Sequence, residues 1–209
     1  MKIVPAVLTE NVQDLELMLT QAETFTDFVQ IDFMDADFVP SKSIAAEGLA
    51  GIKINIGWEA HLMVNDPVYY LSSFNTHGLK RAIFHWEANP HPESIVSDIR
   101  NLGLEVGLAI NPETSLSDFE GVVDKVDAVL FLTVHPGFYG SPFIPEVLEK
   151  IKDFRSHFPS KVIGVDGGIS LKNIETVRSS GADYACVGSR IFRHDDPRQS
   201  YEEFIRTIQ

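Results

Sequence analysis

The stretch "VQIDFMDADFVP" (29–40) ends an apolar run in three carboxylates, Asp32, Asp35 and Asp37. A carboxylate taken out of water is costly unless it is paired, hydrogen-bonded or bound to a metal. Asp32, still inside the run, marks either the exposed end of a strand or one wall of a site. Asp35 and Asp37 lie beyond it and suit loop caps or surface acids. A second acid, Asp166, ends the apolar run of "VIGVDGGIS" (162–170). Two carboxylates across a ligand could take a proton from one face of a carbon and return one on the other. The carbon must then lie beside a carbonyl whose enolate is stabilised by a cation or by hydrogen-bond donors. His61, in "AHLMV" (60–64), could share a metal ion with both acids or serve as a hydrogen-bonded core histidine.

Two further stretches suit an anion. "VDGGIS" and "CVGSRIF" place Gly167-Gly168 and Gly188-Ser189 at the ends of apolar runs, just before helical turns. Glycines there let backbone N–H groups approach a phosphate, and a helix start adds positive potential. Tight turns alone would explain either pair, but the two pairs together favour phosphate. "TVHPGFYGSPF" (133–143) is either a connection into a helix starting near Pro142 or a lid hinged at Gly137 and Gly140.

These residues need a scaffold that brings them together. Short β-branched and apolar runs recur at "IVPAVL" (3–8), "FVQIDF" (28–33), "AHLMV" (60–64) and "RAIFHW" (81–86). They continue at "EVGLAI" (105–110), "AVLFLTV" (128–134), "KVIGVD" (161–166) and "YACVG" (184–188). Helical period fills the intervals, with Asn11 and Asp66-Pro67 as starts and Gly103 and Gly181 as stops. "SLKNIETVRSSG" sets a further helix start at Ser170. Strands apolar on both faces and separated by helices imply a parallel sheet. Eight such units imply a closed (β/α)8 TIM barrel spanning 1–209 as one domain, close to the roughly 200-residue lower size of that fold. An open doubly wound sheet is the alternative, but no GxGxxG follows the first strand. A barrel gathers its chemistry at the C-terminal strand ends, which here carry Asp32, His61, His85, Asn111, His135, Asp166 and Gly188-Ser189.

Composition narrows the class. The chain has 209 residues, 44% hydrophobic and 22% charged, with no apolar run of membrane-spanning length. "MKIVPAVLTEN" turns polar too soon for a signal peptide, and the single cysteine, Cys186, cannot form an internal disulfide. A reducing cytoplasm is therefore expected. The net charge of −13 argues against nucleic acid and leaves small anions to a local site.

The set "IDFMDADFVP", "AHLMVNDP", "IFHWEA", "VGLAINPET", "TVHPGFYGSPF", "VDGGIS" and "GADYACVGSRIF", in this order, resembles ribulose-phosphate 3-epimerase along almost the whole chain. The resemblance implies a (β/α)8 barrel that inverts C3 of a ketose phosphate, ribulose 5-phosphate or a close analogue, through an enediolate. It implies Asp32 and Asp166 as the acid/base pair around a divalent metal (zinc, iron or manganese) held by Asp32, His61 and Asp166. It also implies substrate and phosphate contacts from His61, Gly137, Phe138, Tyr139, Gly140, Gly167, Gly168, Gly188 and Ser189, and assembly into a homo-oligomer. The departures lie at the mouth. Gln30 stands where the family has a metal-binding histidine, and an amide is a poorer partner than imidazole for zinc. Ala6 replaces a serine, Asp37 a histidine, and "GFYGS" the family's Gly-Phe-Gly-Gly-Gln. The departures keep open a paralogue that binds a sugar phosphate without turning it over. An aldolase or decarboxylase would want a lysine at a strand end, and Lys53 and Lys161 lie at or before strand starts.

Overall fold

The computed structural model describes residues 1–74, 78–88, 90–137 and 140–209. Eight parallel strands close into a barrel in chain order. They are β1 (Lys2–Val7), β2 (Phe28–Met34), β3 (Gly57–Met63), β4 (Leu79–His85), β5 (Glu105–Ile110), β6 (Ala128–Leu132), β7 (Val162–Asp166) and β8 (Tyr184–Val187). The expected strands all form, that at 105–110 with both ends as expected and the others with ends displaced by at most three residues, as happens where side-chain pattern and pairing compete.

The α-helices are α1 (Val12–Ala22), α2 (Pro67–Ser73), α3 (Pro92–Asn101), α4 (Leu116–Phe119), α5 (Val147–His157), α6 (Ile174–Ser179), α7 (Ser189–Phe192) and α8 (Pro197–Ile208). Asn11 caps α1 by accepting from the Gln13 and Asp14 backbone N–H groups at 2.8 and 3.2 Å. Asp66 caps α2 through the Tyr69 N–H, with Pro67 opening the helix. Two expected starts move. α5 begins at Val147 rather than near Pro142, because the Ile144 N–H donates to the Thr133 carbonyl and holds that stretch against β6. α6 begins at Ile174 rather than Ser170, where the Asn173 side chain accepts the Ser170 N–H at 2.7 Å and closes a turn. The β2–β3 connection forms only a short 3-10 turn, Ala46–Leu49, in a stretch broken by Gly48 and Gly51.

Strand alternation sorts each strand into two faces. On β2, Val29, Ile31 and Phe33 join the outer core beneath the helices with Trp58, Leu62 and Phe84. Gln30, Asp32 and Met34 are left to the interior. That interior is lined by Val4, Ala6, Ile83, Ala109, Leu130, Leu132, Tyr184 and Cys186. Gly164 is required here, since a Cβ on it would lie 2.3 Å from Cζ of Tyr184. Pairing register then sets the heights: Ala6 beside Gln30, Gln30 beside Glu59, Asp32 beside His61, and Asp166 beside Cys186. Two polar levels result, Glu59 with Arg81 and Tyr184 below, and Asp32, His61 and Asp166 at the mouth.

Candidate active site

The mouth opens into a cavity of about 510 Å³, within the roughly 300–1,000 Å³ range of small-molecule sites. Asp32, His61 and Asp166 line its base, with Ala6, Leu8, Met34, Met63 and Leu132 as apolar walls. β2 and β7 are separated by β1 and β8, and the two aspartates reach toward each other across that arc of the barrel mouth. What joins them is Gln30. Its Nε2 donates to Asp32 Oδ1 at 2.8 Å and to Asp166 Oδ2 at 2.7 Å. Its Oε1 accepts from the Cys186 thiol at 3.0 Å, and the residue is fully buried.

His61 closes the cluster from β3, with Nδ1 3.0 Å from Asp32 Oδ1 and 3.5 Å from Asp166 Oδ2. Burial works against its charged form. The hydrogen bond to Asp32 and the charges of Asp32, Asp166 and Glu59 outweigh burial and raise its pKa. The far side of the ring is held as well, Nε2 lying 2.9 Å from His85 Nε2. Burial and the neighbouring His61 charge push His85 down to about 4, so it is neutral and accepts the His61 Nε2–H. Its other nitrogen then donates to Glu87 Oε2 at 3.4 Å. Glu87 in turn accepts from the Asn111 N–H at 2.9 Å and from the Thr114 hydroxyl. His85 and Glu87 thus fix the orientation of His61 from behind. Asp166 keeps 15% of its side chain open to the cavity. Burial, and after it the nearby Asp32 carboxylate, still raise its pKa.

Asp32, His61 and Asp166 are a set that could hold a metal ion, one donor atom from each lying within 4.8 Å of the others. The fourth position does not fit in the arrangement present. An amide N–H₂, which carries no free lone pair for a metal, stands among these atoms and is bonded to both carboxylates.

The glycine turns also face the cavity. Gly137, Gly140, Gly167, Gly168, Gly188 and Ser189 line it. Gly167 and Gly168 adopt φ of 108° and 65°, left-handed conformations that favour glycine. Phe138 and Tyr139 lie outside the described residues. Other strand-end residues are directed elsewhere. His135 is exposed and pairs with Glu113 at 2.7 Å. Asp35 accepts the N–H groups of Asp37, Phe38 and Asn65, and Asp37 accepts from the Asn65 amide, so both are loop caps. Sequence reasoning did not single out Arg190, Arg193 and His194, which line the same cavity beyond Ser189. Their signal was a cluster of basic residues just after the second glycine turn in a strongly acidic chain.

The sequence pattern of the Ribulose-phosphate 3 epimerase family matches residues 2–192. A ribulose-phosphate 3-epimerase of Schizosaccharomyces pombe is 32% identical over 95% of this chain and 90% of its own. One of Bacillus subtilis is 30% identical over 97% of each chain. In fold, a 3-hexulose-6-phosphate synthase from Salmonella typhimurium superposes with a TM-score of 0.74 at 15% identity, covering 100% of this chain and 98% of that one. The last likeness is one of barrel architecture alone, whereas the match of sequence along nearly the whole length is specific: the chain belongs to the ribulose-phosphate 3-epimerase family.

Proposed function

We propose that the protein is an epimerase that inverts C3 of a ketose phosphate, with ribulose 5-phosphate and xylulose 5-phosphate as the pair of substrates. The observation that carries this is the meeting of two carboxylates, Asp32 and Asp166, at the base of one cavity whose lining combines apolar side chains with glycine turns and the basic residues after β8. The C3 hydrogen of such a sugar lies beside the C2 carbonyl and is acidic. One aspartate takes it to give an enediolate, and the other returns a proton on the opposite face. Excluding water protects the intermediate and strengthens every charge interaction inside the site. Negative charge developing on the C2 oxygen is met by the His61 ring, which lines the cavity and whose charged form the surrounding carboxylates favour. The phosphate is assigned to the backbone around Gly167, Gly168, Gly188 and Ser189, with Arg190 and Arg193 adding positive charge and His194 a further ring nitrogen beside them.

The second reading is a protein that binds a sugar phosphate without turning it over. Gln30 favours it, because a histidine to glutamine change at a metal site weakens enediolate stabilisation. Incubating the protein with ribulose 5-phosphate and following both epimers by NMR separates the two. The epimerase reading requires approach to an equilibrium mixture. Binding with no second epimer would overturn it in favour of the second.

A further inference from the structure

We propose that the Gln30 amide takes the place of a resident metal ion, with the Cys186 thiol setting which end of the amide faces the aspartates. The Gln30 Nε2 lies 2.8 Å from Asp32 Oδ1, 2.7 Å from Asp166 Oδ2 and 3.5 Å from His61 Nδ1, among the three side chains that could together hold a cation. Its two hydrogens match the two carboxylates, and its oxygen takes the thiol hydrogen at 3.0 Å, so every polar atom of this fully buried amide is used. The reverse orientation would set Oε1 against two carboxylate oxygens at those same short distances. The amide therefore does part of what a cation would do there: it holds two acids side by side at the foot of the cavity. A metal ion must displace this bonded amide or turn it over, and then relies on three strong ligands instead of four. Losing even an indirect partner of a metal ligand commonly costs about 10–100-fold in affinity.

The test uses the full chain, dialysed against EDTA and titrated with Zn²⁺ against a chromophoric chelator. Wild-type protein is expected to retain no stoichiometric zinc. It should bind added zinc at least about tenfold more weakly than Gln30→His, in which imidazole restores a fourth ligand. Cys186→Ala, which frees the amide to turn its oxygen inward, should bind zinc more tightly than wild type. Cys186→Ser, whose hydroxyl still donates, should not. One tightly held zinc per wild-type chain after EDTA would overturn the proposal, and so would equal zinc affinity in wild type and Gln30→His. If Gln30→His does not fold, retention by wild type and the Cys186 pair decide the matter. A further consequence rests on the epimerase reading: conversion of ribulose 5-phosphate should persist in EDTA. Activity that requires added zinc would overturn the proposal. Absence of conversion with and without zinc would count against the epimerase reading and leave the zinc-binding result standing.

Discussion

The barrel interior buries acids at two levels and stabilises them by different means. At the lower level Glu59 is fully buried, and its Oε2 accepts from the Arg81 guanidinium at 3.1 Å. Arg81 also reaches Glu105 at 2.8 Å and stacks over the Tyr184 ring, 5.7 Å from its centroid. Burial pushes the Glu59 carboxyl up to about 7 against the pull of Arg81, and its Oε1 has no hydrogen-bond partner among the described residues. At the upper level Asp32 and Asp166 share a neutral amide and a histidine and open onto the cavity. The lower acid is matched by a permanent charge and sealed by packing, which suits structure. The upper acids are held by groups that can trade protons or partners, which suits chemistry. Depth within one barrel thus separates two uses of the same functional group.

Substitutions at the two levels should fail in opposite ways. The largest effect is expected for Asp32→Asn and Asp166→Asn. Each amide cannot serve as acid or base, so turnover should fall by about 10²–10⁴-fold or more, while the chain stays folded and binds sugar phosphate. Arg81→Met should do the reverse. Leaving Glu59 buried without its cation should cost about 3–5 kcal/mol, seen as a lower denaturant midpoint, with turnover of the surviving folded protein close to normal. Equal damage to turnover from both kinds of variant would erase the distinction between the levels.

A bulky residue at Gly168 probes the phosphate assignment with an intermediate effect. There φ is 65° and an added Cβ would come within 3.0 Å of Phe143. Gly168→Val should raise the KM for ribulose 5-phosphate more than it lowers kcat. An unchanged KM would move the phosphate elsewhere.

The smallest effect is expected behind the histidines. Burial tends to raise the Glu87 pKa, but hydrogen bonds from His85, Thr114 and Asn111 outweigh it and leave the carboxyl below its ordinary value. A carboxyl whose pKa is depressed on folding adds stability above its unfolded pKa and loses it as pH falls through the folded value. Unfolding measured from pH 6 downward should therefore show a shallower acid decline in Glu87→Gln than in wild type, with a loss of about 1 kcal/mol at pH 6. An unaltered acid decline would show that Glu87 is not ionised in the way described.

Much of the site was legible because strand alternation and barrel topology fix the strand ends. Asp166 closes an apolar run, Asp32 and His61 sit two residues before the ends of β2 and β3, and parallel pairing brings all three to the C-terminal mouth. The same logic misplaced His135. It follows β6 with no pairing to aim it inward, and it turns to Glu113 at the surface. Gln30 could be recognised as a departure, but its bridging role could not. That role depends on a thiol 156 positions away in sequence, and no local pattern shows which end of an amide faces an acid. The His85–Glu87 support was present as "HWEA" yet silent, since its meaning lies in the ring of His61 on the neighbouring strand. The late start of α5 was hidden for the same reason, set by a backbone bond from Ile144 to Thr133.

The central claim is that Asp32 and Asp166 exchange the C3 proton of the bound sugar. It is tested most directly by incubating ribulose 5-phosphate with the protein in D₂O and following deuterium at C3 by NMR. Wild-type protein should incorporate solvent deuterium at C3 of both epimers, and neither Asp32→Asn nor Asp166→Asn should form the second epimer. Wild-type conversion without deuterium at C3, or epimer formation that survives both substitutions, would contradict the account.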